Sequence, residues 1–251
     1  MNDLRTDMIA SFDGVELAVH RMGAGRPVLL LHGLFSDANT NWIRFGTAAQ
    51  LAAAGFEAIM PDLRVHGASG KPHDPAAYPP DVLVRDVFAL VAALELEDFD
   101  LVGFSLGART AFASVVAGLA PRRLALAGMG LESLRNWHDR IAFFIGAIDR
   151  FGEVKRGDPA FMAVSFMKTQ KIDLVAARLL LTSLDWKRID SLDAITMPTL
   201  VVCGAQDRDN GSPDALAEAL PDGHFVEIPG THMSSVTEKA LGAALVAFLG
   251  R

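Results

Sequence analysis

Residues 100–119 read DLVGFSLGARTAFASVVAGL. An apolar run, Asp100–Phe104, meets a helix-patterned run, Leu106–Leu119, with Ser105 alone between them. Gly103 and Gly107 stand two residues to either side of that serine, a G-x-S-x-G turn. A reversal this tight leaves no room for side chains at the two glycines. It strains the serine backbone and pushes the hydroxyl outward. The helix start behind it offers unpaired N–H groups and the positive end of a dipole, where negative charge could develop. Glycine-rich turns around serine also arise by chance. The strand before and the helix after are what make Ser105 a candidate nucleophile.

The chain on either side repeats the strand–helix rhythm. Met8–Phe12 and Val15–Arg21 read as strands joined at Asp13-Gly14, a hairpin signal. Val28–Leu31 is a short all-apolar run, as expected of a strand buried on both faces, and Phe56–Met60, Leu124–Met129, Thr199–Cys203 and Phe225–Ile228 also read as strands. Between them, Trp42–Ala54, Asp81–Leu96 (with Asp81 as N-cap), Pro213–Leu220 and Val236–Leu249 carry helical periodicity. Such alternation implies parallel βαβ units and an α/β fold with helices on both faces of the sheet. Residues 131–190 break the rhythm with three helix-like stretches, Asn136–Phe151, Pro159–Lys171 and Leu174–Leu184. The expected organisation is a core of residues 1–130 and 191–251, with a helical cap of residues 131–190 inserted above the sheet.

Composition narrows the function. Of 251 residues, 51% are hydrophobic and 21% charged, enough for a large core and too apolar for disorder. The net charge of -7 argues against a nucleic-acid partner. No run of about 18 apolar residues is present, so no membrane partner is expected. Cys203 is the single cysteine, which excludes an intrachain disulfide and a thiolate zinc site. With no basic start followed by an apolar run, a cytoplasmic location is expected. None of His20, His66, His73, His138 or His224 has metal-ligand spacing, so no metal and no cofactor are expected. Oligomeric state is not legible.

Three further segments bear on Ser105. His32-Gly33-Leu34 follows the strand VLLL, where a loop can aim an N–H toward the same point as the N–H of Leu106. Two such donors would form an oxyanion hole. Asp207 follows TLVVC in Gly204-Ala205-Gln206-Asp207, and His232 follows HFVEI in Pro229-Gly230-Thr231-His232. Both lie just past strand ends, where open α/β sheets place their ligands. Alone, either would read as a solvated turn residue. Asp209 is a rival acid two residues beyond Asp207.

With these residues assembled, the chain resembles the α/β-hydrolase superfamily over nearly its whole length. The order Ser105, Asp207, His232 is similar to that of the family's triad. Asp62-Leu63-Arg64-Val65-His66-Gly67-Ala68-Ser69 is similar to its D-x-R-G-H-G-x-S loop, with Val65 departing from the usual Gly. The resemblance implies Ser105 as nucleophile, His232 as base, Asp207 as orienting acid, and Leu34 and Leu106 as oxyanion donors. It implies a structural role for Arg64 and His66. Relatives that open epoxides or remove halogen carry Asp at the elbow, where this chain has Ser105. Arg109 stands where many relatives carry a small residue.

The expected activity is cleavage of a carboxylic ester of a small to medium, largely apolar acyl substrate, with loss of activity once acid protonates His232. Lactone, enol-lactone or C–C bond hydrolysis, perhydrolysis and acyl transfer use the same groups. A non-catalytic ligand receptor on this fold is the reading from another class. Phe and Met at helical spacing in the insertion ordinarily mean core packing. Some must face the sheet, so Trp137, His138, Phe143, Phe144, Phe166 and Met233 are the expected pocket residues.

Overall fold

The computed structural model describes residues 3–135, 137–184 and 191–251. Asn136, where the first insertion helix is expected to begin, and residues 185–190 at the insertion's end lie outside these. Eight strands form one sheet: β1 Arg5–Ala10, β2 Glu16–Gly23, β3 Arg26–Leu31, β4 Phe56–Pro61, β5 Asp100–Phe104, β6 Leu124–Ala127, β7 Thr199–Gly204 and β8 Gly223–Ile228. Their order is β1-β2-β4-β3-β5-β6-β7-β8. β2 runs antiparallel to both neighbours, and every pairing from β4 to β8 is parallel. The expected α/β architecture is therefore present.

Alternation within the strands creates two cores. Leu29, Leu31, Leu101, Leu124, Leu126 and Val201 face one side, while Val28, Leu30, Val102, Ala125, Leu200 and Val202 face the other. Helices α2 Val82–Ala93, α3 Leu106–Val116 and α8 Pro213–Ala219 cover the first side through Val87, Phe112 and Leu216. Helices α1 Thr47–Ala53 and α9 Lys239–Leu249 cover the second through Leu51 and Leu245. Between β6 and β7 lie α4 Leu131–Arg135, α5 His138–Asp149, α6 Phe161–Thr169 and α7 Leu174–Ser183. Their Ile141, Val164, Met167 and Leu180 join the first core, so these helices are packed onto the body of the protein.

Several local expectations are corrected. β1 ends at Ala10, and Phe12 lies in the turn. Ser11 N–H donates to the Val15 carbonyl at 2.8 Å, and Gly14, at φ 83°, makes the reversal. The run Trp42–Ala54 is not one helix. A π-helical turn, Asn39–Ile43, is separated from α1 by Gly46 at φ 89°, a left-handed conformation that interrupts the spiral. Asp81 precedes α2 at φ 63° but makes no side-chain cap; its carboxylate accepts from Arg85 Nε at 3.0 Å instead. The last helix starts at Lys239, after a 3-10 turn at Ser235–Thr237. The short α4 is an addition to the three helices read in the insertion.

Candidate active site

Ser105 joins β5 to α3 at φ 53°, ψ −110°, a conformation that is costly for a residue with a side chain. Its surroundings hold it there. A Cβ on Gly103 would lie 2.3 Å from the Gly107 carbonyl oxygen, and one on Gly107 only 2.0 Å from that of Leu31. Both glycines are thus required for β5, α3 and β3 to approach one another. Ser105 N–H donates to the Ala127 carbonyl of β6 at 2.8 Å, which fixes the turn against the neighbouring strand.

Two loops bring the partners. Past β7, Asp207 N–H donates to Gly204 O at 2.8 Å, and Gln206 N–H donates to Gly230 O at 3.0 Å. A Cβ on Gly204 would lie 2.2 Å from the Gly230 oxygen, so the β7 and β8 loops meet backbone to backbone. His232 then reaches both other groups. Its Nδ1 lies 2.9 Å from Asp207 Oδ2, and its Nε2 lies 3.0 Å from Ser105 Oγ. A carboxylate only accepts, so the ring proton sits on Nδ1, and Nε2 accepts from the Ser105 hydroxyl. Phe104 packs at 5.1 Å between ring centroids, and Gly128 leaves space at the ring edge, where a Cβ would lie 3.1 Å from Cε1. Ser105, Asp207 and His232 are all buried. The rival Asp209 is turned away. Its N–H donates to Asp207 Oδ1 at 3.2 Å, and its carboxylate, half exposed, lies 3.8 Å from Arg140.

The loop after β3 lies beside this line, because β3 pairs directly with β5. His32 is fully buried and uses both nitrogens on backbone: Nδ1–H donates to Gly33 O at 2.8 Å, and Nε2 accepts Leu63 N–H at 2.9 Å. Burial pushes its pKa down, outweighing nearby Asp62. Asn41 Oδ1 accepts Gly33 N–H at 3.1 Å. Asp62 accepts from Ala38 N–H and Ala68 N–H, both at 2.8 Å. Burial alone would raise the Asp62 pKa, but the His20 and His32 rings and these N–H groups hold it at about 2. Among the described residues, neither Leu34 N–H nor Leu106 N–H meets a hydrogen-bond acceptor. A hydroxyl–imidazole–carboxylate line is an arrangement that can deprotonate an alcohol.

The positions read as pocket residues have different surroundings. Trp137 is buried in the core beneath the Arg109 guanidinium, which lies 5.0 Å from its ring. Arg109 itself donates to the Ser133 carbonyl, and burial pushes its pKa down to about 10. His138 is exposed at the start of α5. Phe144 packs on Phe35 of the β3 loop at 5.5 Å, and Phe143 packs on Phe144 at 5.2 Å. Phe166 is half-buried against the core, and Met233, beside His232, is 51% exposed. Asn41, Phe35 and Gly128 were not singled out as site residues by the sequence. Phe35, at φ 59°, and Asn41, inside a π-helical turn, acquire their roles through contacts that no periodicity displays. Among the described residues, no cluster of three or more His, Cys, Asp or Glu could hold a metal ion, and no helix is long and apolar enough to cross a membrane.

A model of the alpha/beta hydrolase family matches residues 28–242. An epoxide hydrolase of Caballeronia sordidicola is 36% identical over 118 residues, which is 44% of this chain and 35% of that protein. A 2-hydroxymuconate semialdehyde hydrolase of Pseudomonas sp. (strain CF600) is 34% identical over 103 residues, 41% of this chain and 36% of that one. These matches thus span little more than a third of the length of each relative. Among solved structures, an esterase from Exiguobacterium antarcticum superposes with a TM-score of 0.78 at 20% identity, covering 98% of this chain and 100% of that one. A hydrolase from Pseudomonas aeruginosa PA01 superposes at 0.76 with 24% identity, covering 98% and 99%. At such identity these likenesses show the fold.

Proposed function

The chain belongs to the alpha/beta hydrolase family, and from that premise we propose that it is a serine hydrolase that cleaves a carboxylic ester through an acyl-enzyme on Ser105. The observation that carries this reading is the continuous line from Ser105 Oγ through His232 to Asp207, at 3.0 and 2.9 Å. In this mechanism His232 Nε2 takes the hydroxyl proton as Oγ attacks the ester carbonyl. Asp207 keeps the proton on Nδ1 and stabilises the cationic ring. The N–H groups of Leu34 and Leu106 receive the oxyanion. His232 then protonates the leaving alcohol, and water repeats the sequence against the acyl group. Acid that protonates His232 removes the base.

Ser105 also separates this chain from the chemistry named in its epoxide-hydrolase relatives, which on this fold calls for a carboxylate at the elbow. We further propose that residues 131–190 act as a cap over the site, with Phe144 and Met233 facing an apolar acyl group. The aromatic contact between Phe144 and Phe35 supports that placement. A second reading, cleavage of a C–C bond by the same three groups, draws support from the match to the semialdehyde hydrolase, and a lactone is a further substrate those groups would open.

Turnover of p-nitrophenyl esters of rising acyl length, beside a lactone and a β-diketone, tests these readings. Neutral short to medium esters are expected to be hydrolysed, with Ser105→Ala slower by at least about a thousandfold. Ester turnover retained by Ser105→Ala would overturn the serine mechanism. Preference for charged esters would overturn the apolar pocket, and preference for the β-diketone or lactone would establish the second reading. Binding without turnover on any member would favour a receptor.

A further inference from the structure

Helix α5 touches both loops that serve the triad. On one side Phe144 packs against Phe35 of the β3 loop at 5.5 Å. On the other, Arg140 Nη1 donates to the Asp209 carbonyl at 2.8 Å, with Nη2 3.8 Å from the Asp209 carboxylate. The Arg140 guanidinium also lies 5.7 Å from the Phe144 ring on the same helix, so the two contacting side chains of α5 touch each other.

We propose that Arg140 is a positioning residue, which holds the acid-bearing turn 207–210 so that Asp207 presents one chosen oxygen to His232. The inference rests on the serine-hydrolase reading above. A carboxylate with one hydrogen bond can rotate about its terminal torsion, and the imidazole would follow. Here Asp207 Oδ1 is occupied by Asp209 N–H at 3.2 Å, which leaves Oδ2 for the ring. The peptide that supplies this N–H belongs to the residue whose carbonyl Arg140 grips. The bonds of Arg140 thus go to Asp209 and not to the reacting groups. Other contacts secure the far end of the loop: Asn210 Nδ2 donates to Gly128 O at 2.6 Å, and Glu132 Oε2 accepts Ser212 N–H at 2.6 Å. Arg208 donates to the Asp207 carbonyl, but from within the same turn. Arg140 alone among these reaches the turn from α5. Its planar fork can meet a carbonyl and a carboxylate together, which a lysine ammonium does less well.

The test compares wild type with Arg140→Ala and Arg140→Lys by kcat and KM on a short p-nitrophenyl ester, by thermal midpoint, and by the ring 15N shifts of His232. Arg140→Ala is expected to lower kcat by roughly ten- to a hundredfold, with KM changed by less than about twofold, because a displaced catalytic group costs rate more than binding. Arg140→Lys should recover part of that loss. In Arg140→Ala the 15N shifts should move away from a single Nδ1–H tautomer while the thermal midpoint stays close to wild type. Unchanged kcat together with unchanged shifts would overturn the proposal. So would a rise in KM at constant kcat, which marks a substrate contact, or a loss of rate matched by a loss of folding. Should Ser105→Ala keep ester turnover, the serine reading falls by itself. The 15N comparison still judges Arg140, since it needs no substrate.

Discussion

Seven histidines are spread along the chain, and their surroundings sort them. His232 has a carboxylate on one nitrogen and a hydroxyl on the other. His66 is fully buried; its Nδ1–H donates to Arg64 O at 2.9 Å, and among the described residues its Nε2 has no partner. Burial first, and then the neighbouring His32, push the His66 pKa from 6.5 down to about 3. The unfolded chain therefore takes up a proton near pH 6.5 that the folded chain refuses until about pH 3. The stability tied to neutral His66 is complete above pH 6.5 and is lost progressively toward pH 3. His20 has the opposite sign, since its hydrogen bond to Asp62 raises its pKa. A series of melting curves between pH 7 and pH 4 should show a falling midpoint, with a shallower fall in His66→Gln. Equal slopes in the two proteins would remove His66 as the cause. The sequence separated His232 from the other six only through its joint placement with Ser105 and Asp207, since His32 also follows an apolar strand. It could not show how His32 and His66 are satisfied, since their partners are backbone atoms brought in by the fold.

At the scale of elements, the contact of β3, β5 and α3 decides whether the serine turn can exist. Gly107 is the closest point, with Leu31 O at 2.0 Å and His32 O at 2.7 Å from where a Cβ would stand. These are backbone atoms and cannot swing aside. Gly107→Ala is expected to destabilise the protein by about 1–3 kcal/mol, as overpacking does. For a chain of this size that lowers the melting temperature by roughly 2–4 °C per kcal/mol. Gly146 is the control. It lies inside α5 with open space around it, so Gly146→Ala should stabilise by up to about 1 kcal/mol. Equal melting temperatures for the two variants would contradict the packing argument. The parallel strands were legible as short apolar runs, the first two strands through the Asp13-Gly14 hairpin signal, and the glycine pair because only a tight reversal needs it. The segment 39–53 was not. Its apolar spacing suits a continuous helix, and only the left-handed Gly46 shows where the π-helical turn and α1 part. Asn41, which braces Gly33, owes its position to that break.

In the molecule as a whole, a single sheet separates two cores, and its strand order determines which loops can meet. β3 and β5 are neighbours, so the serine turn and the Leu34 loop adjoin without long excursions. β7 and β8 are neighbours too, so the acid and imidazole loops meet at Gly204 and Gly230. One strand, β6, lies between the pairs, and its loop contributes Gly128, whose missing side chain leaves room for His232. Topology thus gathers residues separated by 127 positions at one rim, where unpaired helix and loop N–H groups also collect. The sequence supplied the order of the elements. The grip of α5 on the acid turn was not visible in it, because Arg140 resembles any other surface arginine until the fold sets it beside Asp209. In the proposed mechanism His232 makes Ser105 nucleophilic, and intact-mass analysis after exposure to a fluorophosphonate reads that reactivity at the serine itself. One adduct is expected on wild type, located on Ser105, with none on Ser105→Ala and markedly slower labelling of His232→Ala. An adduct that persists in Ser105→Ala, or wild-type labelling no faster than that of His232→Ala, would contradict it.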